Sequence, residues 1–280
     1  MADGGEGTAA ALLAALGGEW RSASVSDPLG RDVEARYALL PDGRAVVEAA
    51  EAIGLARLGP GERDPLGASS RGLGELIVSA LDAGATGLVV GLGDSATVDG
   101  GAGLREVLAA VPDDTVVACD VANPLLGTRG AARAFGPQKG ASAEQVRRLE
   151  QRLAADAALA PFADLPGAGA AGGLGAALAS LGAELVLGAA LVAEAIGLRS
   201  RLEEAALAVT GEGTVDMASR EGKVTGHVAA LCAELDVRCV VFGGRVEAEL
   251  SGAETVALSG DPGRAAADLE ELGERLGREL

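Results

Sequence analysis

Residues 210–223 read Thr-Gly-Glu-Gly-Thr-Val-Asp-Met-Ala-Ser-Arg-Glu-Gly-Lys, placing two carboxylates, Glu212 and Asp216, on one loop and Lys223 at the start of a helical pattern. Carboxylate oxygens suit a magnesium ion and an ammonium suits the charge of a transferred phosphate, so the loop has the chemistry of a phosphate and metal site. Its spacing is not that of a Walker A loop. A second polar segment, residues 120–140, gathers Asp120, Asn123, Arg129 and Lys139 into glycine- and proline-rich backbone. Asp120 ends a β-like run, the position at which α/β folds present groups to a ligand. Of 23 basic residues only Lys139 and Lys223 are lysine, and a compact ammonium is not interchangeable with a guanidinium.

A third stretch, residues 84–103, passes from a β-branched run into Gly91-Leu-Gly-Asp-Ser-Ala-Thr-Val-Asp-Gly-Gly-Ala-Gly103 and then into an apolar helical pattern. Two readings fit. Glycines let backbone approach an anion, and a helix N-terminus offers unpaired N–H groups, with Ser95 and Thr97 adding hydroxyls. An ordinary βα connection in a chain of 43 glycines has the same spacing.

These loops need a scaffold, and the chain has the composition for one. It has 280 residues, 49% of them hydrophobic, enough for one large core or two smaller ones. A net charge of −18 argues against nucleic acid or an anionic membrane as partner, so an anionic ligand requires a local positive site. Cys119, Cys232 and Cys239 lie in apolar segments without metal-like spacing and read as reduced core thiols of a cytoplasmic protein. The apolar run at residues 9–16 follows Asp3 and Glu6 and lacks the basic flank of an export signal.

Patterning predicts a hairpin over residues 19–37 around Asp27-Pro28-Leu29-Gly30, a strand over 45–49 and a helix over 73–83. A strand over 87–90, a helix to about 110 and a strand over 115–119 follow. Ser142 with Gln145 three residues on predicts a capped helix over 142–160. Residues 167–172 formally match a dinucleotide fingerprint, but no strand precedes them, so they read as a glycine-lined helix entry. Beyond residue 206 the pattern is strand 207–210, loop 211–222, helix 223–235, strands 239–242 and 255–258, and helix 262–280. This is regular α/β alternation.

Together, residues 91–103, 119–125 with 136–140, and 210–216 with 222–223 resemble the bacterial glycerate kinases that phosphorylate D-glycerate with ATP; residues 1–8 and 165–174 look like family segments too. The resemblance implies two α/β domains. A flavodoxin-like domain would comprise residues 1–20 and 206–280, incomplete at its N-terminus, with a second α/β domain, 21–205, inserted and the active site in the cleft between them. Family members usually begin with a strand and an Asp-Ser-Phe-Lys-Gly loop before the turn at which this chain starts, and carry an additional stretch after the position of Leu108. Asp94 stands where the family has glycine, and Val98 where it has asparagine.

The resemblance also implies roles: ATP and Mg2+ as cofactors, Asp216 as base or magnesium ligand, Glu212 as magnesium ligand, and Lys139 and Lys223 balancing phosphoryl charge. Arg129, Asn123 and Asp120 would meet the substrate; Gly91, Gly93, Ser95, Ala96 and Thr97 would line the nucleotide phosphates. An Asp94 carboxylate within about 4 Å of a phosphate would repel it by about 1 to 4 kcal/mol. The competing expectation is a family member that binds a ligand or partner without turnover; a nicotinamide enzyme rests on residues 167–172 alone.

Overall fold

The computed structural model describes residues 1–59, 61–217, 219 and 223–280. The chain divides into two compact units, Met1–Val192 and Ala193–Leu280.

The first unit is built on a six-stranded sheet in chain order: β1 (Glu19–Ser26), β2 (Asp32–Leu39), β3 (Arg44–Glu48), β4 (Gly87–Gly91), β5 (Thr115–Cys119) and β6 (Glu184–Leu187). β1 to β3 pair antiparallel and β3 to β6 parallel, so the hairpin is an extension of a parallel sheet. Every residue of β4 is buried, the pattern of a strand covered on both faces. Its helices are α1 (Thr8–Leu16), α2 (Ala49–Ile53), α3 (Arg71–Asp82), α4 (Ala102–Val107), α5 (Ala131–Phe135), α6 (Ala143–Ala155) and α7 (Ala170–Ser180), and α8 (Gly188–Ala195) carries the chain onward. In α3 the buried Leu73, Leu76, Ile77 and Ala80 repeat at helical spacing and form the stripe that packs on the sheet core.

The second unit has a three-stranded parallel sheet, β7 (Leu207–Val215), β8 (Arg238–Val246) and β9 (Glu254–Ala257), with α9 (Leu198–Glu203), α10 (Val224–Leu235) and α11 (Ala265–Glu279). Val215, Val228, Cys232, Cys239 and Val241 form one core cluster; Val240, Leu272 and Leu276 form another. The three thiols are free and buried.

The mixed α/β class agrees with the sequence expectation, and the Ser142–Gln145 capping box forms reciprocally, with bonds of 2.9 and 3.3 Å. Other elements differ. β7 continues through Val215 where a loop from residue 211 was expected, because Thr214 and Val215 pair with Arg245 and Val246 of an equally extended β8. This pairing overrides the low strand propensity of Gly211-Glu-Gly213. α4 stops at Val107 and α6 at Ala155, short of the expected 110 and 160, and β6 was not expected at all. The 262–280 segment opens with a 3-10 turn, Pro262–Arg264, before α11.

Residues 1–20, expected with 206–280, pack within the first unit. The Ala9 N–H donates to Glu48 Oε1 at 2.7 Å, the Gly93 N–H donates to the Gly4 carbonyl at 3.1 Å, and β1 is the edge strand of the six-stranded sheet. Among the described residues no helix is long and apolar enough to cross a membrane.

Candidate functional site

The loops leaving the C-terminal ends of β4 and β5 enclose a cleft of about 240 Å³, whose lining includes Asp3, Gly93, Asp94, Ser95, Asp120 and Lys139. Carboxyl ends of parallel strands are where open α/β sheets expose unpaired backbone and accept ligands. Lys139 sits on the 3-10 turn Pro137–Lys139 and is only 4% exposed. Its Nζ donates to Ser95 Oγ at 3.0 Å and to the Thr97 carbonyl at 2.8 Å. Burial lowers its pKa to about 7, the attraction of Asp99 opposing that shift. A lysine with two uncharged acceptors and no carboxylate hydrogen-bonded to it is expensive to keep charged, and an anion arriving in the cleft would restore the charge.

The turn between β4 and α4 departs from its expected form. The N–H groups at the start of α4 are already taken: the Asp99 carboxylate accepts from Gly101 and Gly103 at 3.1 Å each, and the Gly100 N–H donates to the Gly172 carbonyl at 3.1 Å. Asp99 also accepts from the Ser70 N–H and Oγ, at 2.9 and 2.7 Å. A carboxylate inside the chain thus occupies the donors that an external anion would have used. The glycines serve the backbone too. A Cβ at Gly91 would lie 2.6 Å from the Gly4 carbonyl oxygen, and one at Gly93 would lie 2.4 Å from Gly5 Cα.

Of the five residues expected to line phosphates, Gly93 and Ser95 line the cleft. Gly91 admits the N-terminal turn, the Ala96 N–H donates to the Ile53 carbonyl at 2.8 Å, and Thr97 offers its carbonyl to Lys139 while its hydroxyl is buried without a hydrogen-bond partner. Gly93→Ala is expected to force the N-terminal turn off β4 and to destabilise the protein by about 1 to 3 kcal/mol, the usual cost of overpacking. Thermal melting measures it; an unchanged Tm would show that the turn moves freely.

Asp94 is exposed at φ 58°, a left-handed conformation that glycine adopts freely and Asp tolerates. This accounts for the exchange at a position where the resemblance places glycine. Asp120 is half-buried on the cleft wall, and its charge adds to burial in pushing the Cys119 thiol up to about 11. Asn123 braces its own loop, its Nδ2 donating to the Arg129 carbonyl at 2.6 Å and its carbonyl accepting from the Gly169 N–H at 2.9 Å. Arg129 is exposed and outside the cleft lining. The fingerprint-like segment at 167–172 is a left-handed entry to α7, with Ala171, Gly172 and Gly173 all at positive φ; a Cβ on Gly172 would lie 2.1 Å from the Thr97 carbonyl oxygen.

In the second unit Lys223 is the N-cap residue of α10, and its Nζ lies 3.5 Å from Glu212 Oε2. The Thr225 hydroxyl donates to the other Glu212 oxygen. Asp216 follows β7 and exchanges hydrogen bonds with Ser219: its N–H donates to Ser219 Oγ at 3.0 Å, and the Ser219 N–H donates to Asp216 Oδ1 at 3.2 Å. Glu212 and Lys223 thus lie together as an ion pair, a contact that the sequence did not indicate. Among the described residues no group of three or more His, Cys, Asp or Glu converges as a metal cage.

Asp3 and Asp99 were missed. An Asp immediately preceding a Gly-Gly helix start is a capping signal, and reading it as such would have found Asp99.

The sequence model of the glycerate kinase family matches residues 1–115 and 113–260. Over 269 residues the chain is 43% identical to the glycerate 2-kinase of Escherichia coli (strain K12), an alignment covering 82% of this chain and 71% of that one. It is 39% identical over 286 residues to the glycerate kinase of Bacillus subtilis (strain 168), covering 88% and 75%. The crystal structure of a "putative glycerate kinase 2" from Salmonella typhimurium LT2 superposes with a TM-score of 0.76 at 35% identity, covering 99% of this chain and 88% of that one. A cleft at the carboxyl ends of parallel strands with a buried lysine at its floor, and this similarity along nearly the whole chain, lead to one assignment: the chain is a kinase of the glycerate kinase family.

Proposed function

We propose that the protein transfers the terminal phosphoryl group of ATP to a hydroxyl of D-glycerate, giving phosphoglycerate and ADP. The observation that carries this reading is Lys139, a buried ammonium held by Ser95 and Thr97 at the floor of a cleft with no other cation among its described lining residues. Asp216 accepts the proton of the attacking hydroxyl or holds magnesium, and Lys139 and Lys223 balance the charge that develops as the phosphoryl group moves. Ser95 offers the phosphates a hydroxyl and Gly93 lines the same cleft, with Gly91, Ala96 and Thr97 setting the turn that presents them. Asp120 and Asn123 shape the substrate loop, and Arg129 supplies a guanidinium to the glycerate carboxylate.

The donor set fits magnesium. Glu212 and Asp216 provide hard carboxylate oxygens, and a magnesium bound with nucleotide phosphates needs only one or two carboxylates from protein. When bound, the ion would neutralise phosphate charge beside Glu212 and Asp216. The net charge of −18 supports the absence of nucleic-acid and membrane partners, and three buried thiols support a cytoplasmic setting.

A second reading, binding without turnover, draws support from Asp3, Asp94 and Asp120, three carboxylates around the same cleft. The two separate in one assay. Incubated with ATP, magnesium and D-glycerate, the wild type is expected to release ADP in step with phosphoglycerate, and Asp216→Asn to lower kcat about a hundredfold or more. Failure of the wild type to turn over while glycerate still binds sinks the kinase reading for this chain.

A further inference from the structure

The second unit holds a larger cavity, and among its described lining residues the roles above use only Glu212, at its border. It measures about 490 Å³, within the range of about 300 to 1,000 Å³ usual for small-molecule sites, and opens at the carboxyl ends of β7 and β8 beside the first turn of α11. Its apolar walls are Phe242, Leu258, Pro262 and Leu269. The Phe242 ring lies against Gly211 on the neighbouring strand, where a Cβ would come within 2.4 Å of it, so the missing side chain gives the ring its place. Gly213 and Gly244 leave the strand ends open: a Cβ on Gly213 would meet nothing within 4 Å.

Charge decides what part of a ligand belongs here. The cavity is bordered by Glu212, Asp261 and Asp268 against a single cation among its described lining residues, Arg245, which is paired with Glu247 at 3.7 Å. Glu212 is met by Lys223 and Asp268 by Arg264 at 3.4 Å. Among the described lining residues no unpaired positive charge remains to draw a phosphate, whereas a planar neutral ring gains from the phenyl face, and a vicinal diol gains from an exposed carboxylate such as Asp261, whose Oδ1 accepts from the Gly263 N–H at 2.9 Å and whose other oxygen is the acceptor offered.

We propose that this cavity binds a purine nucleoside, with its base against Phe242 and its ribose hydroxyls toward Asp261, and so takes the nucleoside portion of the nucleotide. The identification of the nucleotide rests on the function proposed above; the binding itself does not need turnover. Adenosine, which carries no phosphate and needs no magnesium, is the probe. In calorimetric titration of the full chain, adenosine is expected to bind, inosine to bind comparably and uridine more weakly. Phe242→Ala is expected to weaken adenosine roughly tenfold, by loss of base stacking. Gly213→Val, whose side chain enters open space and fills the cavity without strained backbone, is expected to abolish binding while its melting temperature stays near the wild type. In turnover assays both variants should raise KM for ATP and leave KM for glycerate unchanged. Absence of adenosine binding by the wild type, or wild-type affinity in a folded Gly213→Val, overturns the proposal. A protein that binds adenosine at this cavity but phosphorylates nothing would keep the site and remove the kinase reading.

Discussion

Lys139→Met is expected to lower kcat/KM for phosphoryl transfer by about a hundred- to a thousandfold, the range seen when one preorganised charge donor to a transition state is removed. The side chains are similar in length and the position is buried, so the loss reports charge rather than shape. Stability responds differently. The variant leaves the Thr97 carbonyl without its donor, a cost of about 1 to 3 kcal/mol, and is relieved of burying an ammonium, which costs a comparable amount.

The balance depends on pH in a defined direction. Lys139 titrates near 7 in the folded protein against an ordinary value of 10.5. Below about pH 7 the amine is protonated in both folded and unfolded chains, and the burial cost is fully present. Between about 7 and 10.5 the unfolded chain holds a proton that the folded chain has released, so wild-type stability rises with pH. Urea denaturation of wild type and Lys139→Met at pH 6.5, 8 and 9.5 should show the wild type gaining on the variant at each step. A difference independent of pH would mean that Lys139 keeps an ordinary lysine pKa.

Asp99→Ala is expected to cost about 3 kcal/mol or more, because it strands the N–H groups of Ser70, Gly101 and Gly103 and the Ser70 hydroxyl in a buried site. Ser70 Oγ also accepts from the Leu104 N–H at 3.0 Å, so the same carboxylate ties α3 to α4. For a chain of this size the expected fall in Tm is roughly 6 to 12 °C. Asp99→Asn keeps one acceptor oxygen and should lose less. Both changes remove the carboxylate that supports the protonated Lys139, so the residual activity should shift toward lower pH. A melting curve of Asp99→Ala superimposed on the wild type would show that water or backbone shifts satisfy those donors.

Much of the scaffold was legible because its signals are local. Buried runs such as Leu-Val-Val in β4, the helical spacing of Leu73, Leu76, Ile77 and Ala80, and the Ser142–Gln145 box each state their structure within a few residues. The extension of β7 through Val215 and the existence of β6 were not legible, since both depend on a distant partner strand. The same division holds at the candidate site. The loops bearing Asp120, Lys139, Glu212 and Lys223 stood out by residue type, whereas the pairing of Glu212 on β7 with Lys223 at the start of α10 was decided by the fold.

What the sequence by itself determined is the α/β class, the family, and the loops rich in chemistry. Only the tertiary structure decided how the glycine-rich turn is used. Its N–H groups go to Asp99, its glycines admit the Gly4–Gly5 backbone, and its positive charge arrives from Lys139, some forty residues along the chain. The physical reason is that backbone donors and close approaches are satisfied by whatever the fold brings within 3 Å, and a sequence window records the donors without recording what reaches them.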